Sequence, residues 1–286
     1  MYKRTGCKRL ETGISNGGSK RSVRGFTLVE LLVVIAIIAL LMSILMPALS
    51  RAKKQANAVV CQANLQQWGM IFALYATDNE GSLPQSVAGG TLCQREAYWI
   101  TALVPYYEDR KIRLCPSAAN TLNPPECNRC PGTTFSAWGP FDAATDDDWW
   151  ETGAMGSYGI NEWCSNPPGD SYWGFPSKYA WRSTSAKGAG QVPLFLDCIY
   201  IDGYPMHYDE PPEYPGEYRG SGGWANAAMK YYCIDRHERH INGVFLDSSV
   251  RKIGLKELWR LKWHQAYPID FQPPEWPVWM RGFKDY

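Results

Sequence analysis

The sequence predicts an α+β protein: one long N-terminal helix, half membrane-spanning and half amphipathic, packed on a small antiparallel-sheet head with long, disulfide-rich loops. Three observations lead there. Residues 26–49 form an apolar run of 24 residues with a single charge, Glu30. A helical apolar period continues beyond that run to about residue 79. Short β-type segments then alternate with Gly- and Pro-rich stretches, in a chain that holds nine cysteines.

The first 25 residues carry seven Lys/Arg against one acid, Glu11, which leaves the rest of the 286-residue chain net acidic by five. An acidic body argues against nucleic-acid binding, which needs a basic face. The basic head fits a segment retained on the cytoplasmic side of a membrane. The run at 26–49 would form a helix on the order of 36 Å long, enough to cross a bilayer. It is too long for the apolar region of a cleaved secretory signal, and no small-residue cleavage site follows it. A plain signal anchor explains the length and the positive flank. It does not explain the Gly25-Phe26 junction or a carboxylate at Glu30, which is costly in hydrocarbon unless paired.

From Pro47 onward, Ala48, Ala52, Ala56, Val59, Val60, Ala63, Leu65, Trp68, Ile71, Phe72 and Tyr75 recur at steps of three and four, the helix period. Asp78-Asn79-Glu80-Gly81, followed by Pro84, reads as the stop. Pro47 itself lacks an N–H and should kink or loosen the helix. In the head, residues 97–107 read as a short helix or aromatic packing segment, and 119–153 as an irregular insertion. Strands are expected at 157–162, 192–201 and 243–253, the last as a hairpin around Asp247-Ser248-Ser249. Residues 255–264 read as a short amphipathic helix. The Pro/aromatic tail reads as extended and docked by its aromatics, or partly disordered.

The N-terminal residues RGFTLVELLVVIAIIALLMSILMPAL closely resemble the start of type IV pilins and type II secretion pseudopilins. The resemblance implies a pilin-like lollipop. It also implies cleavage after Gly25 by a prepilin peptidase and N-methylation of the new N-terminus, Phe26. Glu30 would be the fifth residue of the mature chain and Pro47 its twenty-second. The implied organisation is a leader at 1–25, a membrane and filament-core helix at 26–49, an amphipathic helix at 50–80, a head at 81–264 and a tail at 265–286. The implied partners are the peptidase, other pilin or pseudopilin subunits and the inner membrane. The N-terminus would be cytoplasmic and the head periplasmic or in a surface filament. Physically, the amine freed at Phe26 is a cation that Glu30 can pair with, in its own chain or a neighbour.

A narrower resemblance follows. Cys61-x-x-Asn64-Leu65, Tyr75-x-x-Asp78-x-x-Gly81-x-x-Pro84, LCPSA at 114–118 and SYGIN at 157–161 are similar to a prepilin-like subfamily with large cysteine-containing heads. That subfamily ends in a histidine, nine residues, then Asp-Gly. Here the histidine is His237 and the aspartate Asp247, but Ser248 replaces the glycine.

Eight cysteines lie beyond the leader: Cys61, Cys93, Cys115, Cys127, Cys130, Cys164, Cys198 and Cys233. An even set in an exported body reads as disulfides, and the pairing expected first is Cys61 with Cys115, tying head to stalk. Cys93, Cys115, Cys127 and Cys130 are the thiolate-zinc alternative, weak because only one C-x-x-C is present. Asp142, Asp146 and Asp148 lie in an acidic run; since some pseudopilins hold calcium in a head loop, they are the candidate calcium ligands, against the plainer reading of a solvated loop. No other cofactor is expected. His237 or Arg236 is expected to hydrogen-bond near Asp247, fixing the hairpin. Trp138, Trp149, Trp150, Trp173 and Trp181 are candidate stacking residues for a glycan or peptide.

No nucleophile with its base, glycine-rich phosphate loop or metalloprotease motif is present, so the chain is read as a filament subunit and not an enzyme. The alternatives are a pilin-type anchor carrying a ligand-binding head and an exported hydrolase.

Overall fold

The computed structural model describes residues 26–85, 98–122, 131–141, 153–172, 174–218, 228–271 and 275–286. The chain divides into two compact units, Met1–Leu49 and Ser50–Tyr286. In the first, helix α1 (Leu28–Asp78) begins. Its apolar N-terminal stretch is exposed throughout, and it is long and apolar enough to cross a membrane. The helix continues through Pro47.

In the second unit, α1 buries Ala58, Cys61, Leu65, Trp68, Gly69, Ile71, Phe72 and Ala76, a stripe at steps of three and four. The stripe corrects the sequence reading: Ala48, Ala52, Ala56, Val59, Val60 and Ala63 are exposed, and Ala58 and Cys61 take inward positions. The helix ends where the motif predicts. Glu80 and Gly81 both adopt positive φ, and Gly81 N–H bonds back to the Ala76 carbonyl at 2.7 Å. That is the left-handed termination that glycine favours. Asp78 accepts a hydrogen bond from Tyr106 Oη at 2.9 Å, so the stop is also a contact with the head.

The head is a five-stranded sheet in the order β5-β1-β4-β6-β7. Its strands are β1 (Tyr158–Asn161), β4 (Pro193–Asp197), β5 (Asp202–Gly203), β6 (His240–Phe245) and β7 (Val250–Gly254). The small hairpin of β2 (Ser171–Tyr172) and β3 (Phe175–Pro176) stands apart. The expected antiparallel sheet is mixed, because β5 pairs with β1 in parallel. The β1–β4, β4–β6 and β6–β7 pairs are antiparallel. Every residue of β1 and β4 is buried, the polar Asn161 and Asp197 included. Helix α2 (Trp99–Ala102) and a 3₁₀ turn at Val104–Tyr106 occupy the predicted aromatic segment. A second short helix, α3 (Ala228–Tyr232), precedes β6.

The core is aromatic. The Trp68 ring meets Phe195 at 4.8 Å, Tyr107 at 5.1 Å and Trp99 at 5.7 Å, and its Nε1 donates to the Ile112 carbonyl. Residues Leu255–Arg260 form a 3₁₀ helix where an α-helix was expected. The Lys262 N–H, which would continue an α-helical ladder, donates instead to the Gln191 carbonyl, and Trp259 Nε1 anchors the segment to the Asp209 carbonyl. The tail is docked. Met280 is buried beside Cys233, Trp276 packs edge-on to Trp259, and Trp279 Nε1 donates to the Pro212 carbonyl.

Candidate functional site: the exposed apolar helix and a buried thiol cluster

At the start of α1, Thr27 N–H donates to Glu30 Oε2 at 2.8 Å and Thr27 Oγ1 to the same oxygen at 2.7 Å. Glu30 N–H donates back to Thr27 Oγ1 at 3.2 Å. Thr-x-x-Glu is thus a capping box, each residue satisfying a donor of the other. Phe26 lies just outside it, 70% exposed. Gly25 lies outside the described residues. From Leu28 to Leu49 the large apolar side chains all face outward. Such a surface is stable only against lipid or a partner helix.

In the head, four groups from four parts of the chain meet. Cys61 comes from α1, Cys115 follows the 3₁₀ turn Arg110–Arg113, Asp197 ends β4, and His237 lies in the turn before β6. Their ligating atoms all lie within 4.8 Å of one another. Cys61 Sγ sits 3.5 Å from Asp197 Oδ2 and 3.6 Å from Oδ1. His237 Nε2 is 3.2 Å from Asp197 Oδ2 and 3.5 Å from Cys115 Sγ.

A shell of fixed donors surrounds the four. Arg236 Nη1 lies 3.0 Å from Asp197 Oδ1, and Asn242 N–H donates to Oδ2 at 2.8 Å. The remaining Arg236 donors are taken by the carbonyls of Thr133, Thr134, Ser157 and Cys198. Asn242 reaches α1 through its side chain, accepting from Gln62 Nε2 at 2.9 Å.

The charges shape the ionisation. Burial acts to raise the Asp197 carboxyl, but His237, Arg236 and the Asn242 N–H outweigh it and hold it at about 2. Burial acts to lower His237, but Asp197 and Cys115 raise it to about 9. Burial, then Cys115 and Asp197, push Cys61 up. Cys115 is buried too, yet Cys61, His237 and Arg236 bring it down, so it is the thiolate-forming member of the pair.

The subfamily motifs are accounted for locally. Asn64 Nδ2 donates to the Leu114 carbonyl, joining Cys-x-x-Asn to LCPSA. Ser157 Oγ accepts from Cys115 N–H, and Asn161 Nδ2 donates to the Pro193 and Trp263 carbonyls. Gly159 admits the neighbouring strand end: a Cβ there would sit 2.5 Å from the Tyr200 carbonyl.

Several expectations change. Cys61 and Cys115 do meet, as expected; no bond joins them in the structure, and Cys164, Cys198 and Cys233 are likewise unbridged and buried. Each of those three has its own surroundings, beside Asn161, Tyr200 and Met280 respectively. Arg236 and His237 do not reach Asp247. The six-residue strand β6 separates them, about 20 Å at a strand's rise per residue, so the two halves of the motif stand at opposite ends of it. Asp247 instead accepts from Ser249 N–H and Oγ in the turn. Trp138 and Trp181 are buried, donating to the Tyr158 and Trp263 carbonyls, and are not stacking platforms. Cys93, Cys127, Cys130, Asp142, Asp146, Asp148, Trp149, Trp150 and Trp173 lie outside the described residues. Asp197 and Asn242 were not singled out from the sequence; each reads locally as an ordinary strand residue.

Residues 20–46 match the family model of the prokaryotic N-terminal methylation motif. Over 59 residues the chain is 48% identical to the type IV wide pilus major component PilA4 of Thermus thermophilus; the aligned segment is 21% of this chain and 45% of that relative. The chain therefore spans less than half the length of the curated relative it matches. No solved structure matches it. The N-terminus is of the prepilin type found in pilins and pseudopilins.

Proposed function

We propose that the chain is a subunit of a type IV pilus or type II secretion pseudopilus, cut between Gly25 and Phe26 by a prepilin peptidase, N-methylated and assembled through residues 26–49. The carrying observation is the prepilin-type segment joined to an apolar helix that faces outward along its whole N-terminal stretch. The positive leader supports a cytoplasmic N-terminus with the head across the inner membrane. In the filament the apolar stretch exchanges lipid for neighbouring copies or sister subunits.

On this reading the protein is structural and not an enzyme. Cys115, His237 and Asp197 resemble a nucleophile–base–acid set, but thiol and carboxylate both approach the same imidazole nitrogen. A relay needs them on opposite nitrogens. Mass spectrometry of the mature N-terminus tests the proposal, the expected product being N-methyl-Phe26. An unprocessed Met1, or a cut elsewhere, overturns it. Glu30→Ala should leave the chain in the membrane but lower its recovery in sheared filaments or pseudopili by at least tenfold. Unchanged recovery would favour a pilin-type anchor that only tethers its head.

A further inference from the structure

The buried cluster does more than satisfy hydrogen bonds. A thiol and a carboxylate converge on one nitrogen, His237 Nε2. A second thiol, Cys61, faces both oxygens of that carboxylate. One N–H shared between two acceptors makes only a weakened, bifurcated bond and leaves Cys61 unserved, whereas a central cation serves all four groups together. We propose that Cys61 Sγ, Cys115 Sγ, His237 Nε2 and Asp197 Oδ2 form a closed tetrahedral site for divalent zinc.

The donor set supports zinc. Two sulfurs, one imidazole nitrogen and one carboxylate oxygen are its usual protein ligands, and four protein ligands mark a structural rather than a catalytic site. Among the proposed ligand atoms, Asp197 Oδ2–His237 Nε2, Asp197 Oδ2–Cys61 Sγ and His237 Nε2–Cys115 Sγ are 3.2, 3.5 and 3.5 Å apart, close to the edges of a tetrahedron with bonds of about 2.0–2.3 Å, and all four atoms lie within 4.8 Å of one another. The outer shell is already set: Asn242 N–H orients Oδ2, and Arg236 holds Oδ1. Such second-layer contacts fix ligand orientation.

Charge also balances. Two thiolates, a carboxylate and a neutral imidazole around a dication sum to one negative charge, and the buried Arg236 guanidinium offsets it. Binding releases the remaining thiol and imidazole protons to solvent. The way in is a cleft of about 500 Å³ lined by Lys53, Ala58, Pro116, Arg236 and His237 among others. The site would staple the stalk helix, the loop after α2 and the sheet, independently of whether the chain assembles into filaments.

The test uses the full chain, purified in detergent without chelators from the membranes in which it is made. Elemental analysis should find one zinc per chain. Replacement with Co²⁺ should give tetrahedral ligand-field bands and a thiolate charge-transfer band. Chelation should lower the melting temperature, and Zn²⁺ should restore it. Cys115→Ser should abolish the charge-transfer intensity or halve it, while Cys233→Ser should leave it unchanged. Because a ligand variant can fail to fold, the Cys127→Ser/Cys130→Ser double variant is the second arm, and it should keep both the zinc and the cobalt spectrum. The proposal is overturned if the wild-type chain takes up no zinc or cobalt, or if the metal is lost in the double variant. Non-reducing peptide mapping that finds Cys61 and Cys115 joined as a disulfide also overturns it.

Discussion

Asp197 is the residue on which the head's polar interior depends. Its side chain and that of Arg236 are both wholly buried, and Arg236 has donors to four backbone carbonyls besides. Truncating Arg236 strips the buried Asp197 carboxylate of a charged partner and leaves only His237 and the Asn242 N–H to compensate it. Arg236→Ala should therefore destabilise the head by about 3–5 kcal/mol in denaturant unfolding. A second buried carboxyl behaves oppositely. Burial pushes Asp209 up to about 7, against the N–H groups of Met206 and Met229 that its Oδ2 accepts. Among the described residues its Oδ1 has no hydrogen-bond partner. The folded state thus prefers the neutral acid. The contribution of Asp209 to stability is full below the unfolded carboxyl range near pH 4 and is lost as pH rises through about 7. Asp209→Asn should raise the melting temperature at pH 8 and leave it nearly unchanged at pH 4. An equal shift at both pH values would show that charge is not the cause.

At the scale of elements, the contact between α1 and the β6–β7 turn is unusually close. A Cβ at Gly69 would stand 2.9 Å from Val244 Cγ2 and 3.4 Å from the Ser248 backbone. Gly69→Ala gains about 1 kcal/mol of helix propensity but forces a stiff, β-branched neighbour to move, which costs about 1–3 kcal/mol. A net loss is expected. In a Val244→Ala background the same change should become stabilising, and the double-mutant cycle measures the coupling. Ser248 adopts φ 64° in that turn, with its N–H bonded to the Phe245 carbonyl. Ser248→Gly should gain about 0.5–1 kcal/mol by relieving the left-handed backbone, read as a shift of the unfolding midpoint.

The elements legible in the sequence were those with a long period or a local signature. The 51-residue α1 and the β6–β7 hairpin come directly from spacing and turn residues. The two-residue strand β5 is too short to show any period, so the parallel pair was hidden. For residues 255–260, apolar spacing gives the right inward face, with Leu255, Leu258 and Trp259 buried. It cannot foresee the tertiary bonds that tighten the turn to 3₁₀. The cluster was half visible. Cys61, Cys115 and His237 belong to motifs, but their common partner Asp197 lies in an apolar strand and is identified only by the pairing of distant segments.

For the whole molecule, the hydrophobic core among the described residues draws its side chains from the Ser50–Tyr286 unit. The apolar stretch before it contributes nothing to that core, so the head should not need it to fold. A chain lacking residues 1–49 should be soluble without detergent and unfold in one cooperative transition. Aggregation of this variant under conditions where the full chain is folded would show that the head relies on the missing helix.

The thiol cluster sets the order in which the head can be completed. Cys61 and Asp197 are 136 positions apart, and Cys115 and His237 are 122 apart. In the proposed export the N-terminus stays on the inner side and the rest of the chain crosses in order, so the end of α1 and the first strands emerge while Arg236 and His237 are still on the other side. Until the final fifth of the protein has crossed, Asp197 waits without its counter-charges. Closure of the head is therefore a report that translocation is nearly finished, and a chain stalled before residue 236 should remain open to proteolysis.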